Sequence, residues 1–257
     1  MKIKVEKLIA IAGSVLFCIS LPAFGQQASV DFTGIINTQS FGGGYADPYA
    51  GTVTYNGVTL NPNGEIICDD YYGEIFVPET WQATVTQASS LTAADVARDV
   101  KFGGTIGING YAAIAGLVTD MLATNNRTTQ DDLSAAIWWL SSGGTGTGTL
   151  GSPYVLNGYT LDSGASAYVT AALYAYGTPG TATSSAAQTA LGADTNLVIL
   201  TPVNGTQSQG GLHVPQEMWI ITPEGGAAAM YLLLAGATCF GAMFFTSRNR
   251  MVRRETA

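Results

Sequence analysis

Residues Ala227 to Phe245 form a run of 19 positions without a charge, and Arg248, Arg250, Arg253 and Arg254 follow at once. A helix rises about 1.5 Å per residue, so the run nearly matches the roughly 30 Å hydrocarbon core of a bilayer. It predicts a single C-terminal transmembrane helix over 227–245. The positive-inside rule keeps the four arginines in the cytoplasm and puts everything from Gln26 to Thr222 on the far side. Gly236 and Gly241 thin one face of this helix, which suits close packing against another span.

The other end supports the same polarity. Lys2, Lys4 and Lys7 precede an apolar stretch from Leu8 to Ile19, Pro22 breaks it, and Ala23 and Gly25 are the small residues of a cut before Gln26. These are the three parts of a secretory signal peptide, and the apolar core is too short to span comfortably. Cys18 lies inside that core behind Phe17, which excludes a lipoprotein cut. The expected organisation is a signal peptide at 1–25, an exported segment at 26–222 and a tail at 223–257. The Sec translocon and a signal peptidase are the first partners expected.

The tail runs in the order Thr222-Pro223-Glu224-Gly225, a short glycine linker, the span, the arginine cluster and then Ala257. This layout resembles the PEP-CTERM sorting domain of bacterial exported proteins, with Thr-Pro-Glu-Gly where that family has Val-Pro-Glu-Pro. The resemblance implies recognition by an exosortase-type membrane protease. Pro223, Glu224 and Gly225 would be read near the cut, while Arg248, Arg250, Arg253 and Arg254 hold the chain in place. It further implies an inner-membrane-anchored intermediate, then delivery to the cell surface or the extracellular space. A permanent single-span anchor is the alternative.

The exported segment is long enough for one sizeable core. Its basic side chains are Arg98, Lys101 and Arg127 against fifteen carboxylates, a net charge of −12. Such a surface repels nucleic acid and anionic lipid, so neither is expected as a partner. Cys18 belongs to the signal peptide and Cys239 to the span, which leaves Cys68 alone in the exported part. No intrachain disulfide framework can form. A single thiol in an oxidising compartment is buried, paired between molecules, or chemically used.

Alternation predicts strands in "ASVDFTGIIN", "GEIIC" and "TWQATVTQ", and Asn56-Gly57 in "GTVTYNGVTL" marks a hairpin. Thr92 caps "AADVARDV", with Asp95 three residues on as a capping box. "NGYAAIAGLVTDMLATN" lines up Ile114, Leu117, Val118, Met121 and Leu122 on one helical face. "TTQDDLSAAIWWLSSGG" predicts a helix capped by Thr129, with Asp131 and Asp132 in its first turn. "TGTGTLGSP" reads as a flexible linker, "SGASAYVTAALYAYG" as a fourth helix, and "TNLVILTP" and "QEMWIIT" as closing strands. The expected fold class is α+β: a β-sandwich or barrel-like ectodomain with an inserted helical subregion, plus the C-terminal transmembrane helix.

Three strings stand out for chemistry: "ICDDYY" at 67–72, "KFGGTIGINGY" at 101–111 and "DLSAAIWWL" at 132–140. Together they resemble an ectodomain common among PEP-CTERM proteins and, more distantly, the thioester domain of Gram-positive surface adhesins. In that domain a cysteine behind an aromatic or apolar residue bonds to the glutamine of a Thr-Gln-x-Ala-Ile-Trp string, and surface nucleophiles attack the bond. Cys68 matches the cysteine and Ala136-Ile137-Trp138 the Ala-Ile-Trp, but the glutamine position holds Ser134. Gln130, one turn back on the same helical face, is the nearest substitute. A packed thiol remains the alternative for Cys68, because neighbouring carboxylates raise a thiol pKa. Asp69, Asp70 and Glu74, with Asp47, have the oxygen ligands of a calcium site. They lack EF-hand spacing and read by default as solvated strand-end carboxylates.

Enzyme signatures are missing. His213 is the only histidine, and there is no Gly-x-Ser-x-Gly elbow, Walker or Rossmann fingerprint. One histidine and one cysteine fall short of a zinc set. Trp138 reads as core and Trp139 as the exposed member of the pair. The expectation is a non-enzymatic, cofactor-free exported protein with a structural or adhesive role at the cell surface or in a biofilm matrix. Extracellular polysaccharide or other surface proteins are its expected partners. Two alternatives stay open: a covalent adhesin using a Cys68–Gln130 thioester, and a secreted hydrolase or carbohydrate-binding protein.

Overall fold

A computed structural model describes residues 27–38, 40–41, 44–73, 76–149, 151–181, 183–203 and 215–223. The expected signal peptide, transmembrane helix, Glu224, Gly225 and arginine cluster lie outside the described residues. Thr222 and Pro223 open a second unit, and the described residues before them belong to the first.

The strands in chain order are β1 (Gln27–Ile35), β2 (Ser40–Phe41), β3 (Gly44–Tyr45), β4 (Tyr49–Tyr55), β5 (Val58–Thr59), β6 (Glu65–Cys68), β7 (Glu79–Gln87), β8 (Val155–Leu156), β9 (Tyr159–Thr160), β10 (Leu197–Pro202) and β11 (Met218–Ile221). Five α-helices separate β7 from β10: α1 (Ala93–Asp99), α2 (Gly103–Leu122), α3 (Arg127–Ser141), α4 (Ser163–Tyr176) and α5 (Ser185–Ala193). The main sheet runs β1-β7-β10-β11-β6-β4-β5, and β1 also pairs with β4. That extra pairing closes β1, β7, β10, β11, β6 and β4 into a six-stranded antiparallel barrel, which removes the exposed edges of an open sheet. Gly51 sits at the seam opposite Phe32, where a Cβ would lie 2.5 Å from Ile66 Cδ1 and 2.8 Å from the Asp31 carbonyl.

Period-two alternation separates two cores. Val30, Phe32, Val53, Ile66, Cys68, Trp81, Leu200, Met218 and Ile220 fill the barrel. Their outward neighbours Ile67, Ile199 and Trp219 pack with the helices, around Ile114, Val118, Leu133, Ile137 and Trp138. The strands pointing helices at their outer faces are therefore β6, β10 and β11.

Most expected elements form where the local chemistry asks. Asn56 and Gly57 take φ of 48° and 78° at the β4–β5 turn, the left-handed pair a tight hairpin needs. Thr92 and Asp95 form the reciprocal capping box of α1. α2 is the one described helix long and apolar enough to cross a membrane, but most of it is buried. It starts earlier than its apolar stripe, at Gly103, and breaks at Gly107, whose φ is 61°.

Three expectations are corrected. The cap of α3 is Asn126, three residues before the expected Thr129, and its side chain accepts from Thr129 N; no acid falls in the first turn. Trp139 is buried, not exposed: its Nε1 donates to the Thr145 carbonyl at 3.2 Å and its ring meets Tyr154 edge-on at 4.9 Å. The glycine-threonine run is folded back by a two-way hydrogen-bonded bridge between Thr145 and Val155, and is not a free linker. Helix α5 has no counterpart among the expected elements.

Candidate functional site

Cys68 ends β6, and its inward-facing register turns the thiol into the barrel with no solvent exposure. On β11, Met218 pairs with Cys68 and Trp219 with Ile67. Carrying this antiparallel register past the strand ends sets Glu217 opposite Asp69 and Gln216 opposite Asp70. The Asp69 N–H donates to the Glu217 carbonyl at 3.4 Å. Alternation then places Cys68 and Gln216 on the barrel side, with Asp69 and Glu217 on the helix side.

Gln216, 148 residues from Cys68, meets it directly: Cys68 Sγ donates to Gln216 Oε1 at 2.9 Å. The carboxamide carbon lies one C=O bond, about 1.23 Å, from that oxygen, which holds it within about 4.1 Å of the sulfur. Gln216 Nε2 donates to the carbonyls of Asp70 at 2.8 Å and Gly73 at 2.5 Å. Two acceptors that lack any donor identify this atom as the amide nitrogen. The Asp70 N–H donates to Cys68 Sγ at 3.2 Å. Thiol and carboxamide thus face each other in a dry interior with the nitrogen turned away from sulfur. The arrangement sets a thiol directly against an acyl group.

The frame around the pair is polar and buried. Asp47 Oδ1 accepts from Cys68 N at 2.6 Å, while Asp47 N donates to Ser134 Oγ at 2.8 Å. Ser134 Oγ in turn donates to the Gln130 carbonyl, 3.0 Å away and one helical turn back. From the same helix, Trp138 Nε1 donates to the Cys68 carbonyl at 3.0 Å, and Ser141 Oγ to the Asp69 carbonyl. Helix α3 therefore holds the backbone at and just after Cys68 directly, and reaches its N–H through Asp47. Lys101 Nζ pairs with Asp70 Oδ2, and Asp70 Oδ1 accepts from Gly73 N at 2.9 Å.

Burial pushes the Cys68 thiol well above its ordinary pKa, and the charges of Asp47, Asp70 and Asp69 add to the shift. The sulfur is a neutral thiol at rest. Burial likewise raises Asp47 and Asp69, the latter helped by the Glu217 charge. Glu217 accepts from Tyr111 Oη at 2.5 Å, Thr201 Oγ1 at 2.6 Å and Lys101 N at 2.8 Å. With three donors, Glu217 is the member of the Asp69–Glu217 pair better fitted to carry charge, and Asp69, which accepts from Trp219 Nε1 at 2.7 Å, is the one pushed toward its neutral form.

The expected thioester partner Gln130 is committed elsewhere: its Nε2 donates to the Thr124 carbonyl at 2.9 Å and its Oε1 accepts from Arg127 at 2.9 Å. The glutamine at Cys68 is Gln216. The sequence carries a signal for it in "PQEMWI", a glutamine shortly before a tryptophan and two residues ahead of β11. The weak calcium candidates do not converge. Asp47, Asp69 and Asp70 are buried, not solvated as expected. Asp70 spends both oxygens and Asp47 and Asp69 one each on the contacts above. Asp47 Oδ2 and Asp69 Oδ1 are buried without a hydrogen-bond partner among the described residues, and Glu74 lies outside them. Among the described residues no group of three or more His, Cys, Asp or Glu is placed to hold a metal ion. Pro223, the described residue of the sorting motif, is exposed, and His213 lies outside the described residues. Comparison with known protein families, with curated proteins and with solved structures yields no match.

Proposed function

We propose that this chain is an exported cell-surface adhesion protein whose barrel carries an internal thioester between Cys68 and Gln216. The observation that carries this reading is the 2.9 Å contact from Cys68 Sγ to Gln216 Oε1, with Nε2 held on two carbonyls. In closure the Sγ–Cδ bond forms, the Cδ–Nε2 bond breaks, and the thiol proton departs on nitrogen as ammonia. No electrons are exchanged with any other group. The closed bond is an acyl donor, and a nucleophile on a facing surface takes the Gln216 acyl group while Cys68 regains its proton. Burial supports this chemistry by keeping water from the bond, and oriented contact substitutes for a high thiolate fraction.

Delivery to the surface rests on the sequence: the signal peptide at 1–25, the Pro223-Glu224-Gly225 motif, the apolar run 227–245 and the arginines behind it. The protein would pass through a membrane-anchored intermediate and an exosortase-type cut before attachment or release.

A second reading is favoured by one observation, the complete burial and raised pKa of Cys68. On that reading Cys68 is a packed thiol, and the protein is a non-covalent structural component of an extracellular matrix. An intact mass of the protein isolated from its producing cells separates the two. A thioester leaves the chain one ammonia lighter than its sequence and blind to thiol reagents until an amine opens it. A full-mass chain with an alkylatable Cys68 after unfolding supports the packed thiol. Termination within 222–226 supports sorting, and a chain that runs to Ala257 contradicts it.

A further inference from the structure

The carboxamide nitrogen of Gln216 is held by a small built structure of its own. The turn from Asp70 to Gly73 presents two backbone carbonyls to Nε2, at 2.8 and 2.5 Å. The same turn is closed by its own side chain, since Asp70 Oδ1 accepts from Gly73 N at 2.9 Å. Lys101, from the segment between α1 and α2, pins the other carboxylate oxygen. Gly73 allows the close approach: a Cβ there would lie 2.4 Å from Gln216 Cγ and 2.6 Å from Asp70 Oδ2. The Asp70 side chain is 4% exposed and Lys101 29%, so this ion pair stands at the rim of a dry site.

Resting on the thioester reading above, we infer that the Asp70–Gly73 turn, pinned by Lys101, is the nitrogen-binding half of the Cys68–Gln216 site. It orients the carboxamide for closure and favours amines over water when the bond is reopened. Two carbonyl acceptors match the two N–H bonds of a primary carboxamide and receive the departing ammonia. By microscopic reversibility, an incoming amine approaches through the same place. A primary amine leaves a substituted amide with one N–H for the pair of carbonyls. Water leaves a carboxylate, whose oxygens are set against those carbonyls. The Cys68 thiol, its Sγ 3.4 Å from the Asp70 carbonyl, is only a weak donor in place of the amide N–H. An unpaired buried acceptor is costly, so hydrolysis is the disfavoured opening. Asp70, Gly73 and Lys101 are positioning residues in this scheme, acting through Gln216.

The test uses the protein isolated from its producing cells, with methylamine as the probe. Wild type is expected to be closed and to open mainly to the Gln216 methylamide, with little Gln216 acid. Gly73→Ala displaces the carboxamide without demanding a forbidden backbone, because Gly73 is not among the glycines with positive φ. It is expected to slow closure by about a hundredfold, the scale of an ångström-sized misplacement. Lys101→Met is expected to raise the ratio of acid to methylamide, and Lys101→Arg to restore it. That ratio, read by peptide mass, does not move through a general loss of stability. Closure and product ratios in Gly73→Ala and Lys101→Met equal to wild type overturn the inference while leaving the thioester intact. A wild type of full mass overturns the thioester reading itself, and the nitrogen site with it.

Discussion

Asp47 Oδ1 accepts the backbone N–H of Cys68 at 2.6 Å, and both residues are fully buried. The bond joins the segment before β4 to the last residue of β6, 21 positions apart, and helix α3 reaches the same knot through Ser134. Burial raises the Asp47 pKa, which shifts its carboxyl toward the neutral form, close in kind to an amide. Asp47→Asn is therefore expected to be nearly neutral for stability. Asp47→Ala leaves the Cys68 N–H without its acceptor and is expected to cost about 1–3 kcal/mol. Urea unfolding of the two variants checks this, and equal losses would contradict it.

Stability should rise toward mild acid. Asp47 and Asp69 are raised by burial, and Asp132, partly buried beside Asp162 and Asp131, is pushed up to about 6. In each case the folded state keeps a proton that the unfolded chain releases above about pH 4. The contribution is complete below the unfolded pKa and is lost as pH climbs toward the folded one. Asp95 shifts the other way, but it is a single exposed group. The Tm is expected to be higher near pH 5 than near pH 8, with roughly 2–4 °C per kcal/mol for a chain of this size. A flat or rising Tm from pH 5 to 8 would contradict the assignment of protonated buried acids.

The clamp from α3 can be tested through Trp138. Trp138→Phe keeps most of the apolar volume packed on Tyr71 but strips the donor from the Cys68 carbonyl. The loss is expected to be about 1–3 kcal/mol. It should be accompanied by faster labelling of Cys68 in any open fraction, measured by thiol alkylation under native conditions. Unchanged stability would show that the carbonyl finds another donor.

Local chemistry made much of this fold readable. The Asn56-Gly57 turn, the Thr92–Asp95 box and the alternation of β1, β6 and β7 are each decided within a few residues. Barrel closure is not: it depends on β1 meeting β4 across the Gly51 seam, a non-local pairing that alternation cannot specify. Helix α5 escaped because "SAAQTALGA" has only Ala187 and Leu191 to bury. Trp139 looked exposed because helical spacing places it off the main stripe, yet the folded-back 145–155 segment covers that side.

The site divides in the same way. Cys68 and the Ala136-Ile137-Trp138 string are singled out by resemblance, and they lie in separate cores joined by the Trp138 Nε1 hydrogen bond to the Cys68 carbonyl. The helix that carries this string offers Gln130, one turn from Ser134, but its carboxamide bonds Thr124 and Arg127. The glutamine that meets Cys68 is Gln216, two residues ahead of β11, brought there by strand pairing across 148 residues. Sequence neighbourhood favours the helix, and only the sheet register selects Gln216.

The most direct test of the central claim is peptide mapping after treating the isolated protein with isotopically labelled methylamine. The account predicts the label on Gln216, a thiol newly alkylatable at Cys68, and no label on Gln130. Label on Gln130, or no label with Cys68 alkylatable in the untreated unfolded chain, would contradict it.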